Sequence, residues 1–84
     1  MLRPVSRQPE DPIFNRIEEV RLERGFSRKE LATLTGVHYQ TIGYLERGEY
    51  SPSLALALRI SKVLAVDVSS LFSLNPFRKV KSNG

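Results

Sequence analysis

The 84-residue sequence has no cysteine, no tryptophan and one histidine, His38. Without cysteine, neither a disulfide nor a thiolate metal site can brace the fold, and the absence fits a reducing compartment. The single histidine is joined by no phosphate-cradling loop and no dinucleotide fingerprint. No nucleophile, base and orienting group fall together, so enzyme chemistry is poorly supplied. No apolar run approaches the roughly 20 residues needed to span a bilayer. The N-terminus also lacks the apolar segment of a secretory signal. These absences lead to the expectation of a soluble, cytoplasmic non-enzyme with no metal, no cofactor and no membrane partner.

What is present is a surplus of positive charge. Lys and Arg total 13 against 9 Asp and Glu, a net charge of +4 with a pI near 9.9. Such a balance favours a polyanionic partner, because neutralising phosphates releases condensed counterions. The length allows one domain with a modest core and marginal stability.

Read along the chain, residues 1–11 hold Pro4, Pro9, Ser6 and Gln8 with little apolar content, the pattern of a flexible arm. Asp11-Pro12 offers a cap and a first-turn proline, and Ile13, Phe14, Ile17 and Val20 follow at helical spacing. A first helix is therefore expected from there to about Arg24, closed by Gly25. Ser27-Arg28-Lys29-Glu30 is a capping box that opens a second helix at Arg28. Thr35-Gly36 ends it, and a third helix bearing Ile42 and Leu45 runs to Gly48. Ser51-Pro52-Ser53 caps a fourth helix reaching about Leu64, and Asp67 caps a short fifth through Phe72. No strand alternation or repeat is visible, so the expected class is all-α, with a domain over residues 12–74 and a basic tail over 75–84.

The second and third helices have a tight steric logic. Two short helices joined by a three- or four-residue turn cross steeply. Ala32 provides the small residue for their close approach, Gly36 tolerates the positive φ of the turn, and Val37, Ile42 and Leu45 fill the angle. At this point the chain resembles the Xre family of lambda-repressor-like regulators, over Asn15 to Leu74. The likeness is carried by Arg21-Leu22-Glu23-Arg24-Gly25-Phe26-Ser27, Glu30-Leu31-Ala32, Gly36-Val37, Gln40-Thr41-Ile42, Leu45-Glu46-Arg47-Gly48, Pro52-Ser53-Leu54, Ile60, Leu64 and Leu71-Phe72. The resemblance implies a five-helix DNA-binding domain whose third helix reads the major groove, working as a homodimer. It departs from the family's pattern at Arg28, where glutamine is common, at His38, where serine or threonine usually caps, and at Gly43, inside the reading helix.

In that geometry His38, Tyr39, Gln40, Gly43 and Tyr44 are the candidates for base contacts on double-stranded DNA. Gln40 can donate and accept at once, matching adenine N6 and N7. Gly43 would permit close backbone approach. Ser27, Arg28, Thr41 and Arg47 are the candidates for phosphate contacts. The resemblance also implies that Arg21 and Glu46 pair to orient the reading helix, with Ala32, Gly36 and Ile42 supporting the site.

The fourth helix carries more apolar residues than one inward stripe requires. Leu54, Ala57, Ile60, Ser61 and Leu64 suffice for the core, which leaves Leu56, Val63, Val66, Val68 and Leu74 as a candidate dimer surface. A dimer of this kind would bind an inverted repeat and act most simply as a repressor. The alternative is an antitoxin-like interaction module, whose main partner is a protein engaged through the C-terminal tail.

Overall fold

The computed structural model describes residues 13–77. The N-terminal arm, the Asp11-Pro12 cap and the basic residues from Arg78 onward lie outside the described residues. Five helices follow in order: α1 Ile17–Arg24, α2 Arg28–Thr35, α3 Tyr39–Glu46, α4 Leu54–Leu64 and α5 Val68–Leu71. A two-residue strand β1, Phe14–Asn15, precedes α1, and another, β2, Phe72–Ser73, follows α5.

The two short strands correct the expected start of the first helix. Phe14 lies opposite Ser73 and Asn15 opposite Phe72 in an antiparallel ladder, and the Arg16 N–H extends it by donating to Leu71 O at 2.9 Å. The ladder holds Phe14 and Asn15 extended against a distant segment, outside the helix. The helix begins only at Ile17, whose N–H donates to Asn15 Oδ1 at 3.0 Å. The same Asn15 side chain donates through Nδ2 to Leu45 O at 2.9 Å, fastening the ladder to the end of α3.

Local signals set the other boundaries. Gly25 at φ 80° closes α1 in the left-handed conformation that costs glycine least. Ser53, rather than Ser51, caps α4: its Oγ accepts from Leu56 N–H at 3.1 Å. That helix ends on Ala65 at φ 60°, a left-handed position without glycine's freedom. The turn is held because the Val66 N–H returns to Ser61 O at 3.1 Å, and because Arg24 Nε donates to Leu64 O at 2.7 Å from across the domain.

The core gathers Ile17 and Val20 from α1, Leu31 and Ala32 from α2, Ile42 and Leu45 from α3, Leu56, Ile60 and Leu64 from α4, and Leu71 from α5. Two residues of α4 exchange their expected roles. Leu56 is a core residue, 5% exposed, and so leaves the candidate dimer surface, whereas Leu54 is 73% exposed. With 100° per residue, the stripe through Leu56, Ala57, Ile60 and Leu64 leaves Leu54 roughly a quarter turn to one side. At the first helical position nothing packs over it. Val63 and Val66 are half-buried against the core, Val68 is half-buried, and Leu74 is exposed.

Candidate nucleic-acid interface

α2, the turn and α3 form one bonded unit. Ser27 Oγ accepts from Glu30 N–H at 2.9 Å while Glu30 Oε1 accepts from Ser27 N–H at 2.8 Å, so both halves of the capping box are made. At the other end Gly36, at φ 80°, donates to Ala32 O at 2.8 Å, and Val37 N–H donates to the same carbonyl at 3.1 Å. Thr35 is buried and returns its hydroxyl to Leu31 O at 2.8 Å. Arg59 of α4 donates to Thr35 O at 3.1 Å, tying the turn to the rest of the domain.

α3 then divides into two faces. Ile42 and Leu45 are buried, and Val37 is half-buried against them. His38, Tyr39, Gln40 and Tyr44 project outward, with Tyr39 48% and Tyr44 46% exposed. Two tyrosines and an amide on a wet surface have no packing task to explain them. His38 is the N-cap, but its side chain makes no capping hydrogen bond. Lys29 of α2 places Nζ 5.6 Å from the Tyr39 ring centroid, bringing a cation to the margin of this face.

Gly43 differs from expectation. It offers no bare backbone, because the Arg47 guanidinium lies across it: a Cβ at position 43 would stand 3.3 Å from Arg47 Nη1. Arg47 Cζ is 5.4 Å from the Tyr44 ring centroid. Its Nε and Nη2 donate to the two carboxylate oxygens of Glu49 at 3.1 and 3.3 Å. The hydrogen bond to Glu49 raises the Arg47 pKa above its ordinary value, against a smaller opposing effect of desolvation.

Behind the face stands a buried carboxylate with two arginine partners. Arg21 Nε donates to Glu46 Oε2 at 2.6 Å and Nη2 to Oε1 at 3.4 Å, with side chains only 6% and 2% exposed. Arg21 Nη1 also donates to Phe26 O at 3.0 Å, so the loop between α1 and α2 closes over it. Arg28, from the first turn of α2, brings Nε to Glu46 Oε1 at 2.9 Å and Nη2 within 3.9 Å of Glu18. Its side chain is half exposed. Glu46 thus joins α1, α2 and α3 at one point, and fixes where Arg28 emerges.

Sequence reasoning brought Arg21, Arg28 and Glu46 into the site but did not foresee that both arginines share the Glu46 carboxylate. It also missed Lys29, Glu49 and Asn15. For Glu49 a signal existed, an acid two residues past an arginine across a glycine turn. For Asn15 none did. Among the described residues no cluster of acids and histidine could hold a metal, and no helix is long and apolar enough to cross a membrane.

A buried angle between two short helices, with a polar and aromatic surface facing out from the second, defines a helix-turn-helix DNA-binding domain. The helix-turn-helix family HTH_3 matches residues 17–71, and the chain belongs to this family of DNA-binding transcriptional regulators, which are not enzymes. It is 44% identical over 57 residues to an uncharacterized HTH-type transcriptional regulator of Archaeoglobus fulgidus, covering 68% of this chain and 81% of that one. It is 47% identical over 60 residues to another from Methanothermobacter thermautotrophicus, covering 70% and 87%. Among solved structures it is similar to the restriction-modification controller protein C.AhdI of Aeromonas hydrophila, at 31% identity and a TM-score of 0.63 over 66% of this chain and 83% of that one.

Proposed function

We propose that this chain is a repressor that binds an inverted-repeat operator as a homodimer, laying α3 of each protomer in the major groove. The observation that carries the reading is the outward display of Tyr39, Gln40 and Tyr44 on a helix whose opposite face is wholly buried. In this arrangement His38, Tyr39, Gln40 and Tyr44 meet base edges, and Gln40 pairs with adenine. Ser27, Arg28 and Thr41 meet phosphates. The Ser27 hydroxyl accepts within the capping box and keeps its hydrogen to donate. Arg28, with Nε on Glu46 and Nη2 3.9 Å from Glu18, keeps Nη1 for the backbone of the duplex. Val63, Val66, Val68 and Leu74 supply the apolar surface for the second protomer, which sets two reading helices about 34 Å apart.

The test is selection of binding sites from a random duplex pool, with wild-type protein and with Gln40→Ala. The wild type is expected to select half-sites related by a dyad and spaced by about one helical turn. Gln40→Ala is expected to relax preference at one base pair per half-site by about tenfold. Equal loss on every sequence would remove Gln40 as a reader, and an asymmetric site without a repeat would count against the dimer.

A further inference from the structure

Arg47 holds its guanidinium against α3 itself. It caps the C-terminus of α3, yet its side chain runs back along the helix, as helical side chains lean toward the N-terminus and over the residue four before. That residue is Gly43, and with no side chain there the guanidinium lies down on the backbone. Gly43 follows Tyr39 and Gln40 by about one turn, so the guanidinium comes to rest on the same outward face, flanked by the Tyr44 ring.

Glu49 decides which edge of the guanidinium is presented. It takes Nε and Nη2, the side-on edge, through two hydrogen bonds. The end-on edge, Nη1 with the second hydrogen of Nη2, makes no hydrogen bond among the described residues and keeps two parallel donors. Guanine offers two acceptors, N7 and O6, side by side in the major groove, and the arginine fork matches them. A phosphate contact asks only for a donor within reach, whereas two hydrogen bonds to Glu49 hold this guanidinium in one direction. Fixed direction suits base reading.

We infer that Arg47, seated on Gly43 and oriented by Glu49, reads a guanine in each half-site. The inference rests on the reading that α3 enters the major groove. Glu49 is then a positioning residue, and Gly43 is selected by the guanidinium that covers it.

The experiment is site selection followed by affinity measurement on single-base variants of the selected duplex, using wild type, Arg47→Lys, Arg47→Ala and Glu49→Gln. The wild-type consensus is expected to hold a guanine at one position per half-site. Arg47→Lys keeps the charge but not the fork, and is expected to lower preference for that guanine about tenfold while leaving the Gln40 position intact. Glu49→Gln is expected to bind random DNA more tightly and to discriminate less at the same guanine. A consensus whose guanine preference survives Arg47→Lys, with Arg47→Ala weakening all sequences alike, would make Arg47 a phosphate contact and overturn the inference alone. A wild-type protein that selects no sequence at all would overturn both the inference and the reading beneath it.

Discussion

Glu46→Gln is expected to lower the melting temperature by more than about 10 °C, the largest loss from any single polar substitution in the domain. The glutamine is nearly isosteric, so packing is kept and only the charge is removed. What remains is the Arg21 guanidinium, almost completely buried and without its counter-charge. Breaking a buried pair from one side costs about 3–5 kcal/mol, because the remaining ion stays out of water with only neutral acceptors such as Phe26 O left to it. A domain of this size has a total stability near the low end of the usual range, about 5 kcal/mol. Thermal unfolding followed by circular dichroism checks the expectation. The double variant Arg21→Met with Glu46→Leu should recover part of the loss, since no orphaned charge is left in the core. Arg28→Ala, by contrast, should cost less than about 1 kcal/mol, because half of that side chain is already in water. A small effect of Glu46→Gln would mean that the carboxylate does not tie the three helices together.

The second large effect is on binding. Raising monovalent salt from about 50 to about 200 mM is expected to weaken association with the selected duplex about tenfold. Of the proposed contacts only Arg28 carries charge, so a dimer neutralises two phosphates through it and the logarithmic salt slope is about −2, while Ser27 and Thr41 bond phosphate without releasing counterions. Arg28→Ala should make the slope shallower by about one unit for each protomer bound, with little change in which sequence is preferred. Fluorescence anisotropy on a labelled duplex measures both. A salt slope unchanged by Arg28→Ala would free Arg28 from the phosphate contacts and leave it to Glu46 alone.

The parts of this molecule that were legible in its sequence are those written locally. The Ser27 to Glu30 capping box is complete within four residues, so its geometry could be read from them and was found as read. Ile42 and Leu45 turned inward because α3 alternates apolar and polar residues at helical spacing. α4 is different: Leu54-Ala55-Leu56-Ala57-Leu58 is apolar at every step, so periodicity could not choose between Leu54 and Leu56. Only the Ser53 cap and the packing of α4 on its neighbours settled the register. The start of α1 was hidden for another reason. Asp11-Pro12 is a strong local helix signal, and the ladder that holds Phe14 and Asn15 against Phe72 and Ser73 depends on residues from the far end of the domain. Around the site, residue identities were visible but partnerships were not. Arg21, Arg28 and Glu46 were each placed, and the convergence of both arginines on the Glu46 carboxylate is tertiary.

The measurement that bears most directly on α3 is an amide chemical-shift titration of the labelled protein with the selected duplex. The largest changes are expected in the segments 27–30 and 38–44, with Tyr39 and Gln40 foremost, and little change along α4. Shifts confined to α4 and α5 while the Tyr39 and Gln40 amides stay silent would contradict the account, since a helix that reads bases cannot bind DNA without its own amides sensing it.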